Sequence, residues 1–372
     1  YFKDDGTVYD KASRHLVSST RFVFNYAMAF RHFQEPEYLE QVKHGVAFLR
    51  DAHRNPNTGA YAWQLQWQGG EKHITDGNNH CYGLAFVLLA YAHALMAGMT
   101  EARAYLDETV ALMEDKFWQP EFDLYADQAS EDWQTREPYR GQNANMHSCE
   151  AMIGAYQATG DIALLQRAEM IAFSITQRQA TQADGLIWEH YDIDWKIDWN
   201  YNLDDKANLF RPWGFQPGHF TEWAKLLVLL DGYKEHLQSD GAWLLPTAEK
   251  LFSTALEISW DSVNGGICYG FGPDMQVCDG DKYFWVQAES LAAAACLAQA
   301  TGKPSYWDWY EKICRYSWTH FVDHEHGAWY RILSQDNRKL SDEKSPAGKT
   351  DYHTMGACYE VLNVFAKGAQ HG

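Results

Sequence analysis

The sequence contains no CxxC pair, and no apolar run approaches the roughly 20 residues that a membrane-spanning helix requires. Its seven cysteines are odd in number, and several fall in apolar helical stretches. We therefore predict buried, reduced thiols rather than a disulfide framework, which favours a cytoplasmic protein without a membrane partner. No signal peptide is visible, although the chain begins at Tyr1 and not at a methionine.

Basic residues are also scarce. Lysine and arginine number 31 against 50 aspartates and glutamates, so the formal net charge is −19, and no basic cluster interrupts the acidic excess. Because nucleic acids and anionic membranes attract positive surfaces, we exclude both as partners. With 46% hydrophobic and 15% aromatic residues, the chain has ample material for a core. We expect a folded monomer or homodimer whose partner is a small molecule.

A repeated pattern is the most informative feature of the sequence. Each unit has an apolar helix, a turn, an amphipathic helix and a short Gly-aromatic segment typical of a hairpin. The apolar helices begin at VSSTRFVF, NNHCYGLAF, NANMHSCEA, QPGHFTEWA, KYFWVQAES and TDYHTMGAC. Aligning these starts places six residues in register, at spacings of 62 to 72: Ser18, His80, His147, His219, Val286 and His353.

The helices of the repeat alternate in character. The segment 83–96 is apolar on nearly all sides, whereas the helix after Asp161 is apolar on one side only. Six such pairs predict an all-α protein, an (α/α)6 barrel with hairpin-like loops at one mouth, built as a single domain over 1–372. Eleven helices are visible, so we expect the first outer helix to lie upstream of Tyr1. An open solenoid of helix pairs is the alternative.

Histidine occupies four of the six equivalent positions, although the chain contains only 16 histidines. In such a barrel the inner helices all begin at one mouth, so we expect His80, His147, His219 and His353 to converge there. Three positions after the register, four charged residues occur: Arg21, Glu150, Glu222 and Glu289. A single histidine at a helix start is usually structural, but the shared register favours function for His219 and His353. Glu150 and Glu289 are expected to cap or support neighbouring helices.

Two histidines suggest proton transfer as the chemistry. Their ordinary pKa values lie near neutrality, so they can move a proton on a carbon beside a carbonyl without a cofactor. Arg21, on an otherwise apolar helix face, would stabilise the enediolate oxygen that then forms. Hydrolysis of a glycosidic bond would require two opposed carboxylates instead. Metal binding is the alternative for clustered His and Glu, but no HExxH spacing occurs, so we predict no metal and no other cofactor.

Aromatic residues gather in the same part of the sequence. Six tryptophans fall around the predicted mouth and offer flat faces suited to sugar rings, although many are expected to pack in the core: Trp188, Trp195, Trp199, Trp213, Trp223 and Trp285. The longest non-helical segment, about 181–217, contains four of them. Long structured loops are uncommon unless they are functional, so we predict that this segment forms a lid or a rim.

Four segments carry a resemblance to a known family: DGTVYDKASRHLVSSTRFVFNYA, FRPWGFQPGHFTEWAKLL, WVQAES and TDYHTMGACYE. They are distributed from the start of the chain to its end, and the resemblance spans essentially the whole chain. The chain resembles the N-acylglucosamine 2-epimerase superfamily and, within it, the mannose isomerase-like branch of aldose–ketose isomerases. The resemblance implies an (α/α)6 barrel that acts on a free monosaccharide through an enediol, without a redox cofactor.

The resemblance also implies roles for individual residues. The catalytic residues correspond to His219, His353, Glu222 and Arg21. We expect His353 to move the C2 proton and His219 to assist ring opening, and the reverse assignment is the alternative. The sugar-contacting residues correspond to Asn143, His147, Arg211, Trp285 and Gln287, and the register adds His80 to this group.

The residue after Glu222 bears on the choice between isomerase and epimerase. In the epimerases of this family a small residue usually follows the equivalent glutamate, whereas Trp223 follows here. This favours an aldose–ketose isomerase of the D-mannose to D-fructose type. The alternatives are a sugar 2-epimerase, of the mannose/glucose or N-acylglucosamine type, and a catalytically silent sugar-binding protein.

Overall fold

The computed structural model describes residues 1–208 and 210–369, so the last three residues of the predicted domain lie outside the described part. Eleven α-helices dominate the described residues: α1 (Leu16–Phe33), α2 (Pro36–Phe48), α3 (Cys81–Met96), α4 (Ala102–Lys116), α5 (Gln142–Thr159), α6 (Ile162–Phe173), α7 (Pro217–Asp231), α8 (Leu244–Ser259), α9 (Phe284–Thr301), α10 (Pro304–His320) and α11 (Tyr352–Ala369). Among these residues, no helix combines the length and the apolar character needed to cross a membrane.

The helices form two concentric rings. The odd-numbered helices α1 to α11 follow one another around the inner ring, and α11 packs against α1, which closes it. The even-numbered helices α2 to α10 each pack outside the inner helix that precedes them. The predicted (α/α)6 barrel is therefore confirmed, and the open solenoid is wrong. The additional outer helix expected upstream of Tyr1 lies outside the described residues and stays a prediction.

Burial separates the two rings as the sequence pattern predicts. Thirteen of the 16 residues of α3 are buried, because this inner helix is covered on both sides. Only four of the 15 residues of the outer helix α4 are buried, and they recur at three- and four-residue steps: Ala102, Leu106, Thr109 and Met113. Inner helices thus contribute the core, and their first turns are left to face the mouth.

Short antiparallel strands connect the helices. Their bounds are β1 (Phe2–Lys3), β2 (Ser13–His15), β3 (Gln64–Gln68), β4 (Glu71–Asp76), β5 (Asn79–His80), β6 (Trp118–Gln119), β7 (Leu124–Tyr125), β8 (Gln128–Ala129), β9 (Arg140–Gly141), β10 (His190–Tyr191), β11 (Gly270–Phe271), β12 (Val277–Asp279), β13 (Lys282–Tyr283), β14 (Ile332–Leu333) and β15 (Glu343–Ser345). Strands β2, β3 and β4 form one sheet, and the others pair as β1–β15, β5–β8, β6–β7, β9–β10, β11–β12 and β13–β14. Helices α1, α3, α5 and α9 each begin directly after a paired strand, which fixes where their first turns lie.

Candidate active site

A cavity opens where the inner helices begin. All six inner helices contribute to its wall, through Val17 and Arg21, Tyr82, Asn143 and His147, His219 and Glu222, Phe284 and Trp285, and His353. Loop residues complete the wall: Phe210, Pro212, Tyr269, Tyr283, Arg331, Ala347, Gly348 and Lys349. Seven of the ten predicted site residues therefore line one cavity, and part of the 181–217 segment forms its rim.

His353 has one ring nitrogen anchored and the other directed to Arg21. Its Nδ1 lies 2.6 Å from Oε1 of Glu289, and its Nε2 lies 3.4 Å from a guanidinium nitrogen of Arg21. Burial, together with the positive charge of Arg21, lowers the pKa of His353 to about 4, although the bond to Glu289 opposes the shift. His353 is therefore neutral near pH 7. With Nδ1–H donated to Glu289, Nε2 keeps the lone pair that a general base needs.

A chain of hydrogen bonds orients His219. The indole N–H of Trp223 donates to Oε1 of Gln142 at 2.8 Å, so the amide nitrogen of Gln142 must face the other way and donates to Glu189 at 2.9 Å. Nδ1 of His219 lies 3.0 Å from both carboxylate oxygens of Glu189 and 3.0 Å from the amide nitrogen of Gln142, which already donates to the same carboxylate. An N–H at Nδ1 satisfies this carboxylate, which leaves the lone pair of His219 at Nε2.

Trp285 packs against both histidines. Its ring centroid lies 5.0 Å from that of His219 and 5.7 Å from that of His353. Gly218 permits this approach, because a Cβ at that position would lie only 2.4 Å from the Trp285 ring. Of the six tryptophans near the predicted mouth, Trp285 is the one that lines the cavity within the described chain, and Trp188, Trp195 and Trp223 are buried in the core.

Arg21 is a buried cation without a carboxylate partner. It donates to the carbonyl oxygen of Gly348 at 2.5 Å and to the hydroxyl of Tyr82 at 3.2 Å. Its guanidinium lies over the rings of Phe86 and Tyr352, with centroids at 4.4 and 4.7 Å. Within the described part of the chain no carboxylate forms an ion pair with it, and its Nε–H has no partner. The charge is therefore available to an oxyanion that forms in the cavity.

Glu222 is a buried acid, and its nearest ion-pair contact among the described residues is Nδ1 of His147 at 3.9 Å. It is 1% exposed, and neither of its side-chain oxygens finds a hydrogen-bond partner among the described residues. Burial raises the pKa of Glu222 well above its usual range, and the nearby charges of Glu289 and Glu150 add to the shift against the opposing charges of Lys225 and Arg21. The protonated carboxyl can then donate a hydrogen bond to a substrate oxygen.

Replacing Glu222 with glutamine should raise stability in a pH-dependent way. A raised pKa means that the folded state loses stability as pH rises above the ordinary value of 4.5, whereas glutamine does not ionise. We expect Glu222→Gln to melt at a higher temperature than the unmodified protein at pH 8, and the gap to shrink toward pH 4.5. Thermal unfolding measured from pH 4.5 to 8 tests this. A gap that is constant or reversed across the range would show that Glu222 is ionised when folded.

Several buried charges lie below the histidines. Glu289 binds Nζ of Lys225 at 2.5 Å as well as His353, and Glu150 binds His147 at 3.0 Å and the hydroxyl of Tyr352 at 2.5 Å. Burial would raise the pKa of Glu289, but the charge of Lys225 and the bond to His353 lower it below its usual range. Ligand-type atoms of Glu222, Glu289 and His353 fall within 4.8 Å of one another. Since the ammonium group of Lys225 already neutralises Glu289, we interpret this group of side chains as part of an ion-pair network and not as a metal centre.

The structure corrects the alignment of the repeats at two positions. His80 precedes α3, and its ring stacks on Trp63 at 4.0 Å. It lines an adjoining cavity together with Arg211, which is held by Glu137 and Tyr201. His147 is the sixth residue of α5, whereas His219 and Ser18 are the third residues of α7 and α1. His147 still faces the cavity because it lies about one turn deeper on the same side of its helix.

Gln287 is a further correction. It is fully buried, and its amide group binds both backbone groups of Ile267, at 3.0 and 2.9 Å. Asn145 binds Tyr125 in the same way two repeats earlier. Gln287 therefore ties a hairpin segment to its helix and does not face the cavity. Gln287 directly follows the register residue Val286, so its side chain points toward the loops and not toward the cavity. This explains why the prediction of a sugar contact at Gln287 is wrong.

Sequence reasoning missed three residues that support the histidines: Glu189, Gln142 and Lys225. Glu189 lies in the DGLIWEHY hairpin segment, which the repeat pattern treats as a connection. Gln142 opens α5 five residues before His147, outside the aligned register. Lys225 follows Glu222 by three residues, and the same one-turn spacing that singled out Glu222 from His219 would have found it.

Comparison with known proteins agrees with this geometry. Residues 1–357 match the model of the N-acylglucosamine 2-epimerase (GlcNAc 2-epimerase) family. A D-mannose isomerase of Marinomonas mediterranea is 52% identical over 98% of this chain and 90% of its own, and one of Thermobifida fusca is 37% identical over 78% and 70%.

Solved structures agree as well. That of a D-mannose isomerase has a TM-score of 0.93 at 52% identity, covering 97% of this chain and 90% of that one. A cellobiose 2-epimerase of Spirochaeta thermophila has a TM-score of 0.82 at 22% identity, over 96% of this chain and 87% of its own, and it supports the fold alone. The chain therefore belongs to the N-acylglucosamine 2-epimerase family.

Proposed function

We propose that the protein is an aldose–ketose isomerase that interconverts D-mannose and D-fructose. The observation that carries the proposal is the pairing in one cavity of a neutral His353, whose Nε2 lone pair is not bound by any carboxyl group of the described chain, with a guanidinium of Arg21 that lies 3.4 Å from the same Nε2. A base beside an unpaired cation suits the removal of a proton next to a carbonyl. The relatives named D-mannose isomerase support mannose as the substrate.

The reaction requires two proton transfers. His219 first assists opening of the sugar ring by exchanging a hydroxyl proton at its Nε2. His353 then takes the proton from C2 of the open aldose. The electron pair of the broken C2–H bond forms the C1=C2 double bond of the enediol, and Arg21 stabilises the C1 oxygen, which gains negative charge. The proton now on Nε2 of His353 exchanges with solvent while the enediol is bound, and His353 then delivers a proton to C1. The proton of the C2 hydroxyl passes to the C1 oxygen through His219 or the Glu222 carboxyl, which balances the conversion of aldose to ketose.

Incubation with D-mannose in D₂O, followed by NMR, tests the proposal. We expect fructose to appear together with deuterium at C2 of the recovered mannose. The absence of both fructose and C2 exchange, across several free aldoses, would overturn the assignment of an enzyme that acts on free sugars. Cytoplasmic location, a monomeric or homodimeric state and the lack of a nucleic-acid partner remain predictions from the sequence.

A sugar 2-epimerase is the second candidate, and one observation favours it. His219 and His353 both offer Nε2 to the same cavity and both pack on Trp285, so a second base is present that can return the proton to C2 from the other side. Epimerisation would yield glucose from mannose before fructose. The order in which the two products appear in the NMR experiment separates the candidates.

Trp223 should influence catalysis through His219. Replacing it with phenylalanine removes the indole N–H that fixes the Gln142 amide, so Gln142 can turn and Glu189 loses a donor. Leaving such a buried group unpaired costs roughly 1–3 kcal/mol, and we expect kcat for mannose to fall about tenfold. Trp188→Phe is the matched control, because Trp188 is equally buried but donates to the backbone of Asp198. Equal activities of the two variants would contradict the relay.

A further inference from the structure

Lys225 is a buried lysine that lies beneath the catalytic cavity. It is three residues after Glu222 on α7, one turn deeper in the barrel, and its side chain is 7% exposed. It does not line the cavity that contains the histidines. Instead it lines a second, deeper cavity together with Glu150, Glu289 and Tyr352. A strongly hydrated ammonium group at this depth requires a compensating charge.

Charged and titratable groups on all six inner helices surround Lys225. Three of these groups are carboxyl groups, Glu150 on α5, Glu222 on α7 and Glu289 on α9. Burial lowers the pKa of Lys225, but the three carboxyl groups and the hydrogen bond to Glu289 raise it overall. The other titratable or charged groups around this layer are Arg21 on α1, His93 on α3, His147 on α5, and Tyr352, His353 and Glu360 on α11. Of the two cations in this layer, Lys225 is the one that bonds directly to one of these carboxyl groups, Glu289.

We propose that Lys225 is a positioning residue for the isomerisation, because its ammonium keeps Glu289 ionised and directed so that Glu289 accepts the Nδ1–H of His353. The proposal rests on the proposed function of His353 as the base. Glu289 binds Lys225 through Oε2 and His353 through Oε1, so each oxygen has its own partner. The lone pair of His353 is thereby held at Nε2, on the side of the substrate.

Without the ammonium, the same acids would disturb His353. The negative charges of Glu150 and Glu289 would repel each other in a buried site, and Glu289 would take up a proton near neutral pH. When the proton of Glu289 lies on Oε1, that O–H donates to Nδ1, so the imidazole proton moves to Nε2 and the base is lost. Activity would then require ionisation of Glu289 and would rise with pH.

Lys225→Met tests this through the pH profile of mannose isomerisation. We expect the acidic limb of the kcat profile to move to higher pH by at least about one unit. At a pH on that limb, kcat is then about tenfold lower than in the unmodified protein, while KM changes less than threefold. Lys225→Arg keeps the charge and should restore most of the limb. Lys282→Met is the matched control, because Lys282 is fully buried and paired with Asp261 outside the site. It should lower the melting temperature and leave the limb in place.

A second readout does not depend on activity. The ¹⁵N chemical shifts of His353, in protein labelled at histidine, distinguish a proton on Nδ1 from one on Nε2. We expect Nδ1–H in the unmodified protein and Nε2–H in Lys225→Met at pH 7. If that variant does not fold, Glu289→Gln provides the same test, since its amide also donates to Nδ1. An unchanged tautomer together with an unchanged limb would overturn the proposal, whereas the absence of mannose turnover in the unmodified protein would overturn the proposed function alone.

Discussion

His353→Gln should lower kcat for the mannose–fructose reaction by about a thousandfold. Glutamine preserves much of the side-chain volume but cannot take the proton from C2, and a general base typically contributes 10²- to 10⁴-fold to the rate. KM should change little, because sugar contacts from other residues of the cavity remain. Steady-state kinetics with D-mannose, together with a melting curve to establish folding, make the measurement.

The control for this variant is His53→Gln. His53 is also buried, its pKa is likewise lowered to about 4 by burial, and it binds Ser19 and the carbonyl of Ala62 away from the cavity. Its replacement should affect stability more than turnover. In the unmodified protein the base must be unprotonated, so we expect activity to be lost as pH falls through about 4, the pKa of His353. A His353→Gln variant with at least a tenth of the normal kcat would remove His353 as the base.

Arg21→Met should have the second-largest effect, and it should act in opposite directions on activity and stability. Removal of a donor aimed at a developing oxyanion typically costs 10²- to 10³-fold in kcat, and we expect a loss of about a hundredfold or more. A buried cation without a carboxylate partner is costly, whereas methionine packs well between the rings of Phe86 and Tyr352. The melting temperature should therefore stay unchanged or rise.

Arg21→Lys separates charge from geometry at this position. Lysine keeps the positive charge but lacks the planar fork that reaches Gly348, Tyr82 and Nε2 of His353 together. We expect activity between those of the unmodified protein and Arg21→Met. A fall in activity of less than tenfold in Arg21→Met, or a fall in stability as large as the fall in activity, would show that Arg21 has a mainly structural role.

The repeat pattern predicted the barrel because each inner helix is apolar on all sides and each outer helix on one side. It predicted His219 and His353 because both stand in the first turn of an inner helix. The pattern wrongly predicted that His80 faces the same cavity, because the repeats were aligned by matching histidines and not by the residue at which each helix begins. The helix α3 begins one residue after His80, so the ring leaves the cavity and stacks on Trp63.

Residues that act through others were harder to predict. Glu189 reaches His219 from a loop 30 residues away, and no periodicity encodes such a contact. Trp223 was singled out for its difference from the epimerases, yet its contact with Gln142 depends on how α5 and α7 pack side by side. Gln287 satisfies a backbone segment, a need that becomes visible only when the hairpins are in place. The repeat period of a sequence thus does not predict hydrogen bonds between polar side chains that are far apart in the chain.

Solvent isotope incorporation bears most directly on the central claim, that His353 takes the proton from C2 and delivers a proton to C1 after its Nε2–H has exchanged with solvent. In D₂O we expect fructose made by the unmodified protein to contain deuterium at one of the two C1 positions, and recovered mannose to contain it at C2. His353→Gln should abolish both exchanges, and His53→Gln should retain them. Fructose that keeps all of the label from [2-²H]mannose and takes none from solvent, or a His353→Gln variant that exchanges at the normal rate, would contradict the account.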